Sequence, residues 1–324
     1  MSIEGYENRF VAFLDILGFK ELIYRIESES ESESEESPDF KKVRSVLNFL
    51  HDESVESNGQ HDLPVYEKKE DHILEKELGD PRISYISDCV IISTEGSFDG
   101  FKALCNKLTK FSTDIACDGI FMRGAITHGK IYHHGPMLFG SAYQRSYELE
   151  SKYAVHPRII VDDVVFDILT ERKGEFPLNE HAIITDNDSV NYLVNFPLNY
   201  HPFYIPSWLD FMLRIKSRIL YHLNTFDIRV SGFGSELKNL DKFCCWKEVY
   251  GWDLCFDGGS DSVLKKYEWL KDEFNSTIKK YSEYLSVTEH DKRFDCEIKE
   301  GMKISPICWN GVVWSPEEEL GHIR

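Results

Sequence analysis

The sequence predicts an α/β (α+β) sandwich in which helices pack on a mixed β-sheet. Apolar runs with strand-like spacing alternate with amphipathic helical stretches through the first half of the chain, in the order βα, ββ, αβ and αβ. The 324 residues suffice for one large core or two moderate ones, and their composition is that of an ordinary globular protein. These two observations define the expected fold class.

The first elements follow from apolar spacing. Gly5 to Phe19 is predicted as a strand, followed by a helix from Lys20 to about Glu27. Residues 28–38 are mostly alternating glutamate and serine without an apolar side chain, which predicts a disordered acidic loop. Helical spacing resumes from Phe40 to about His51.

A hairpin is predicted next, with arms Arg82–Ile86 and Cys89–Thr94 and a turn containing Ser87 and Asp88. The turn would present Asp88 at the tip. The later elements predicted in this half are a helix over Phe98–Cys117, strands within Phe121–Tyr132, a helix over Ser141–Tyr153, a strand over His156–Val161 and a helix from Asp163 to Leu169.

The second half carries few motifs. We divide the chain into a domain over residues 1–174 and a C-terminal extension over residues 175–324 that packs on this domain or at a dimer interface. The extension contains all six tryptophans, and its spacing predicts a late strand at Tyr192–Phe196 and helices at Ser207–His222 and Ser262–Leu285. Aromatic-rich regions without motifs more often serve packing or subunit contacts than catalysis.

Composition excludes several classes of function. The formal net charge of −19 argues against nucleic acid as a partner, because phosphate contacts need clustered Lys and Arg. No stretch resembles a signal peptide or a membrane span, and the eight cysteines include no C-x-x-C pair. We expect a cytoplasmic protein with reduced thiols that does not bind membranes. A small polyphosphate remains a possible ligand, since one metal site can hold it within an acidic protein.

Two aspartates end strand-like runs. Asp15 follows Phe10–Leu14, and Asp88 follows Ile83–Ser87. A charge in such apolar surroundings needs compensation, and a divalent cation shared by both carboxylates would supply it. The alternative is that one aspartate caps a helix and the other occupies a turn, which is common after strands.

Two further segments match a known pattern. Arg123 lies in the strand-like run Phe121–Lys130, and Leu138–Ser151 places Phe-Gly before a helix. With the two aspartates, and in this order, these segments resemble the catalytic domain of class III nucleotidyl cyclases. The resemblance covers roughly the first half of the chain and is closer to the pyrimidine cyclases of the bacterial Pycsar anti-phage system.

The resemblance implies a set of roles in residues 1–174. Asp15 and Asp88, with the backbone carbonyl of Ile16, would bind two Mn²⁺ or Mg²⁺ ions, which can activate a ribose hydroxyl and neutralise a triphosphate. The N–H groups of Leu17, Gly18 and Phe19 at a helix start would hold phosphate oxygens. The guanidinium of Arg123 would bind the terminal phosphates, and the side chain of Gln144 the ribose.

The chain departs from the family on the last helix of the motif. Glu148 occupies the position where relatives have an arginine, and a carboxylate cannot donate to a phosphate. The missing cation could come from Arg145, from Lys152 or from a partner subunit.

The base-recognition positions differ as well. Relatives specific for adenine or guanine carry charged or thiol side chains where this chain has Ser84 and Met137. A smaller base approached by Tyr85, Met137 and Tyr143 fits the substitution, so the resemblance implies UTP, with CTP as the alternative. These residues do not separate the two pyrimidines.

The resemblance also implies an assembly and a product. The family builds its site between two catalytic domains, so this chain is expected to act as a homodimer on a ribonucleoside triphosphate. The product would be a cyclic nucleotide read by a separate effector protein. Two other interpretations stay open: a non-catalytic cyclase-like module that senses nucleotides or dimerises, and a purine cyclase with altered base contacts.

Overall fold

A computed structural model describes residues 5–29, 38–56, 66–68, 74–117, 119–171, 183–193, parts of 212–223, and 261–287. The chain divides into two compact units, Met1–Asn195 and Phe196–Arg324. Each unit is described by itself.

The described elements of the first unit alternate between strands and helices. The strands are β1 (Tyr6–Ile16), β2 (Tyr66–Lys68), β3 (Leu74–Glu77), β4 (Arg82–Ile86), β5 (Cys89–Glu95), β6 (Met122–His134), β7 (Met137–Phe139), β8 (Ile159–Val161), β9 (Ile183–Thr185) and β10 (Asn191–Leu193). The helices are α1 (Phe19–Glu29), α2 (Pro38–Glu56), α3 (Phe98–Cys117), α4 (Ser141–Tyr153) and α5 (Asp163–Glu171).

Eight of these strands form one sheet in the order β4-β5-β1-β6-β8-β10-β9, with β7 paired to β6. Strands β6 and β8 are parallel and the other described pairs are antiparallel, so the prediction of a mixed sheet flanked by helices is confirmed. Strands β4 and β5 are consecutive in the sequence and pair antiparallel, and they are the two arms of the predicted hairpin. Strands β2 and β3 pair separately.

Strand β1 lies in the middle of the sheet and is buried on both faces, which explains its nearly continuous apolar sequence. Alternate side chains divide between the faces. Phe10, Ala12 and Leu14 join the large core formed with α1, α2, α3 and α5, whereas Val11 and Phe13 face α4. Asp15 follows in the second series, so it lies on the α4 face.

Several boundaries differ from the sequence-based expectation. The first strand ends at Ile16 instead of Phe19, because Gly18 turns the chain with a φ of +75° and Phe19 begins α1. Helix α1 extends to Glu29 and α2 begins at Pro38, so the predicted acidic loop overlaps both helix ends. Residues 30–37 of that loop lie outside the described residues.

Strands β9 and β10 lie beyond residue 174 yet belong to the main sheet, so the first compact unit extends past the division drawn from the sequence. In the second unit, α6 (Asp261–Val287) matches the predicted helix, and described residues within 212–223 are helical. The rings of His222 and Tyr267 stack with their centroids 4.2 Å apart. Of the predicted aromatic-rich extension, Trp246, Trp252, Trp309 and Trp314 lie outside the described residues.

Candidate functional site

Asp15 lies where β1 ends, one residue before the strand's last position. The chain then turns through Leu17 and Gly18 into α1. The N–H of Leu17 donates to the carbonyl of Phe121 at 2.8 Å, which ties the turn to the strand start of β6. The position of Asp15 is therefore fixed by the central strand and by this turn.

The same turn reduces the set of N–H groups predicted to bind phosphate from three to two. Of the three N–H groups of Leu17, Gly18 and Phe19, that of Leu17 is engaged by Phe121. Gly18 and Phe19 stand at the start of α1, where the first N–H groups of a helix have no acceptor within the helix. Their position is one at which helices bind anions.

Asp88 is brought to Asp15 by the hairpin. It follows Ser87, which takes the left-handed conformation with a φ of +58°, and its carbonyl accepts from the N–H of Ile16 at 3.0 Å. One carboxylate oxygen of Asp15, one of Asp88 and the Sγ of Cys89 all lie within 4.8 Å of one another. The two carboxylates at this spacing fit a divalent cation such as Mg²⁺ or Mn²⁺, whose preferred ligands are carboxylate oxygens, whereas a thiol is not a ligand that these ions prefer.

Cys89 was not singled out by the sequence, although it follows Asp88 directly and pairs with Asp15 across β1 and β5. Burial, together with the negative charges of Asp88, Asp15 and Glu150, raises the pKa of its thiol to about 12. The thiol is thus protonated at neutral pH in the absence of a cation. The hairpin register is the signal that could have identified it.

Arg123 pairs with Asp15 across β1 and β6. Its Nε donates to Asp15 Oδ2 at 2.8 Å and forms an ion pair with Glu150 Oε1 at 2.9 Å. Its Nη1 reaches the carbonyl of Ala154 at 3.4 Å. Arg123 therefore lies beside Asp15, and it also contacts a buried glutamate that the sequence did not indicate.

Helix α4 divides the remaining candidates between two faces. Ala142, Ser146 and Glu150 are buried at helical spacing, whereas Gln144 is exposed and Glu148 is partly exposed on the opposite face. The structure thus does not bring Gln144 to the aspartates of its own chain. Glu150 could have been noticed as a carboxylate in line with the small buried residues of the helix.

Both intrachain substitutes for the family arginine have acidic partners. Arg145 donates to Asp162 through Nε at 3.2 Å and Nη2 at 2.9 Å, which raises the pKa of the guanidinium. Lys152 pairs with Glu148 at 2.6 Å, four residues apart on the helix. The hydrogen bond from Lys152 lowers the pKa of Glu148.

Of the base-recognition positions, Ser84 lies on the α4 face within a polar cluster. Its Oγ lies 2.9 Å from His133 Nε2 and donates to the carbonyl of Gly135 at 3.1 Å. Met137 begins β7 just after this turn and is 55% exposed. Ser84 thus contacts the turn that leads to Met137.

The two predicted tyrosines lie on different faces of the sheet. Tyr143 on α4 packs near Phe13, with ring centroids 6.1 Å apart, on the same face as Asp15. Tyr85 packs against the large core and His51 of α2. Tyr85 is thus on the face opposite to Asp15 and does not join the other predicted base contacts.

Comparisons with known proteins give only slight similarity. No protein-family model matches the sequence, and no curated protein matches it significantly. One similar structure is the monomeric guanylyl cyclase domain of the RhoGC fusion protein from the aquatic fungus Blastocladiella emersonii, with a TM-score of 0.34, 17% identity, and coverage of 58% of this chain and 95% of that domain.

A second is the catalytic core of a rhodopsin-guanylyl cyclase with converted specificity in complex with ATPalphaS, with a TM-score of 0.29, 16% identity, and coverage of 58% and 94%. Similarity at this level carries no assignment of fold family or function. Among the helices that the structure describes, none has the length and apolar character needed to cross a membrane.

Proposed function

We propose that the protein is a nucleotide cyclase that converts a pyrimidine ribonucleoside triphosphate, UTP in preference to CTP, to its 3′,5′-cyclic monophosphate and pyrophosphate. The observation that carries the proposal is the convergence of the Asp15 and Asp88 carboxylates beside Arg123. The sequence motifs support it independently. By the resemblance of the sequence to the Pycsar pyrimidine cyclases, the product is a second messenger in anti-phage defence and is read by a separate effector.

The residues take the following roles. Asp15 and Asp88, with the backbone carbonyl of Ile16, would hold two Mn²⁺ or Mg²⁺ ions. When bound, such ions activate the ribose 3′-hydroxyl and neutralise the charge that develops on the leaving pyrophosphate. The N–H groups of Gly18 and Phe19 donate to phosphate oxygens, and the guanidinium of Arg123 binds the terminal phosphates.

The base contacts support a pyrimidine. The Ser84 hydroxyl is engaged by the neighbouring turn, so this position offers neither the lysine nor the glutamate with which purine-specific relatives bind a base. Met137 is exposed, and Tyr143 lies on the same face as Asp15. By the resemblance described in the sequence, these two bulky side chains contact a small base.

The active unit proposed is a homodimer. Gln144 lies on the outer face of α4, away from Arg123 and Glu150. A second copy of the chain would therefore supply Gln144 to the ribose and a cation in place of the family arginine.

The direct test is incubation of the purified protein with each of the four ribonucleoside triphosphates and Mn²⁺, with products identified by mass. We expect cyclic UMP and pyrophosphate, with ATP and GTP used at least about a hundredfold less efficiently, because mismatched hydrogen bonds to a buried base edge cost several kcal/mol. Comparable kcat/KM for ATP and UTP would refute the pyrimidine proposal. Preference for CTP would refute only the choice of uracil.

Variants connect the activity to the site. Asp15→Asn and Asp88→Asn should each abolish product formation while the protein stays folded, because each removes a charged ligand. Asp167→Asn is the matched control, since Asp167 is an exposed aspartate on α5. Near-normal turnover by either site variant would contradict the assignment of these aspartates.

A specific observation favours a second candidate, a non-catalytic nucleotide-sensing or dimerisation module. Glu148 stands at the arginine position and is paired with Lys152, while Arg145 is held by Asp162. For this alternative, nucleoside triphosphates would bind in the presence of Mn²⁺ without turnover. Calorimetry with UTP, followed by product analysis of the same sample, separates the two functions.

A further inference from the structure

Glu150 is a buried charge at the edge of the candidate metal site. The residue is 3% exposed and lies on the α4 face that packs against the sheet. Its Oε1 lies 2.9 Å from Arg123 Nε, and the same nitrogen donates to Asp15 Oδ2 at 2.8 Å. The N–H on Nε donates to Asp15 and the contact with Glu150 is an ion pair, so one arginine is paired with two carboxylates.

The pairing of one arginine with two carboxylates has an electrostatic reason. A buried carboxylate is costly unless a positive charge lies close to it, and Arg123 supplies that charge to Glu150. Asp15 is compensated by the same guanidinium. A divalent cation at Asp15 and Asp88 must compete with Arg123 for the Asp15 carboxylate.

We propose that Glu150 is a positioning residue that retains Arg123 when Asp15 turns to a divalent cation, and so sets how tightly the site binds that cation. This inference rests on the metal site of the proposed function. With Glu150 charged, Arg123 keeps an ionic partner after Asp15 is engaged. With a neutral residue at position 150, Asp15 is the one carboxylate left of the two that pair with Arg123, so the ion meets a stronger competitor for Asp15.

The measurement is Mn²⁺ binding without nucleotide, followed by the loss of the electron paramagnetic resonance signal of free Mn²⁺. We expect Glu150→Gln to raise the Mn²⁺ dissociation constant about tenfold, the size of effect expected when the competing Arg123–Asp15 ion pair strengthens in a partly buried site. The matched control is Glu148→Gln, the same substitution on the outer face of α4, and it should change binding less than about twofold by the same argument. Unchanged binding in the folded Glu150→Gln protein would overturn the proposal.

A double-mutant cycle separates positioning through Arg123 from a direct effect of charge. In an Arg123→Gln background, the further change Glu150→Gln should alter Mn²⁺ affinity much less than it does alone, because the residue through which Glu150 acts is gone. An equal effect in both backgrounds would show that Glu150 acts on the ion directly, and would overturn the proposal. A purely structural role would lower the melting temperature without changing the Mn²⁺ affinity of the folded protein.

If Glu150→Gln does not fold, Glu150→Asp keeps the charge but withdraws it from Arg123 by one methylene, and weaker Mn²⁺ binding is again expected. Wild-type affinity in that variant would contradict the inference. The outcome is distinguishable from failure of the proposed function. Mn²⁺ binding that depends on Asp15 and Glu150, without any cyclic nucleotide product, would retain the inference and refute the cyclase.

Discussion

At the scale of single residues, a series of hydrogen bonds on the α4 face of the sheet determines which nitrogen of His133 carries the proton. Arg9 Nε donates to Ser93 Oγ at 3.2 Å, and Ser93 Oγ lies 2.8 Å from His133 Nδ1. At the other end, Ser84 Oγ lies 2.9 Å from His133 Nε2 and donates to the Gly135 carbonyl. Because the Gly135 carbonyl takes the one hydroxyl hydrogen of Ser84, Nε2–H donates to Ser84, and Nδ1 of the neutral ring accepts from Ser93.

The surroundings of His133 keep its imidazole neutral. Burial, followed by the positive charges of Arg9 and Arg82, lowers the pKa of His133 to about 4. The unfolded chain has the ordinary histidine pKa of about 6.5 and therefore takes up the proton first as the pH falls. The stability contributed by neutral His133 is present above about pH 6.5 and is lost progressively toward pH 4.

The prediction at this position concerns acid stability. Wild-type protein should lose about 2 kcal/mol more unfolding free energy between pH 7 and pH 5 than His133→Gln, because glutamine at position 133 does not titrate. Urea unfolding of both proteins at both pH values measures the difference. Equal losses in the two proteins would show that His133 is not held neutral in the folded state.

At the scale of elements, the start of α4 depends on one glycine. Gly140 precedes the helix with a φ of +151°, a conformation that side chains disfavour. A Cβ at this position would lie 2.7 Å from Ile131 Cα and closer still to the carbonyl oxygen of Lys130 on β6. The backbone of α4 therefore approaches β6 at a distance that only glycine permits.

Gly140→Ala should lower the free energy of unfolding by about 3 kcal/mol, from backbone strain and steric overlap together. Gly135→Ala is the matched control: its φ is also positive, at +55°, but an added Cβ meets nothing within 4 Å. It should cost only about 1 kcal/mol, the penalty for the left-handed conformation. Chemical denaturation of both variants gives the comparison, and similar losses would contradict the close approach at Gly140.

The elements show what the sequence could predict. Local patterns identified the central strand, the hairpin that presents Asp88 and the helix over Ser141–Tyr153, since strand and helix periodicity and turn chemistry are encoded within a few residues. These local patterns could not predict which segments distant in the sequence pair with each other. Strands β9 and β10 joined the sheet from beyond the expected boundary, and Glu150 met Arg123 only because α4 packs across β1 and β6. Such contacts depend on tertiary packing, which periodicity does not specify.

At the scale of the whole molecule, the candidate site within one chain lacks Gln144, which belongs to the sequence motif. Asp15, Asp88 and Arg123 converge, whereas Gln144 is exposed on the outer face of α4. Large apolar side chains are exposed on the neighbouring elements: Phe139 is 56% exposed on β7 and Tyr147 is 53% exposed on α4. Exposed apolar side chains near an incomplete site are typical of an interface with a partner.

If two copies form the sites, inactive chains should complement each other. Asp15→Asn retains Gln144, and Gln144→Ala retains both aspartates, so a mixed dimer would contain one complete site and one doubly defective site. Statistical pairing of equal amounts makes half of the dimers mixed, so the unfractionated mixture should show about a quarter of wild-type activity and the isolated mixed dimer about half. Co-expression with two different affinity tags and sequential purification isolates the mixed dimer. A site built within one chain would give no recovery in the isolated mixed dimer, because neither chain would then carry both Asp15 and Gln144.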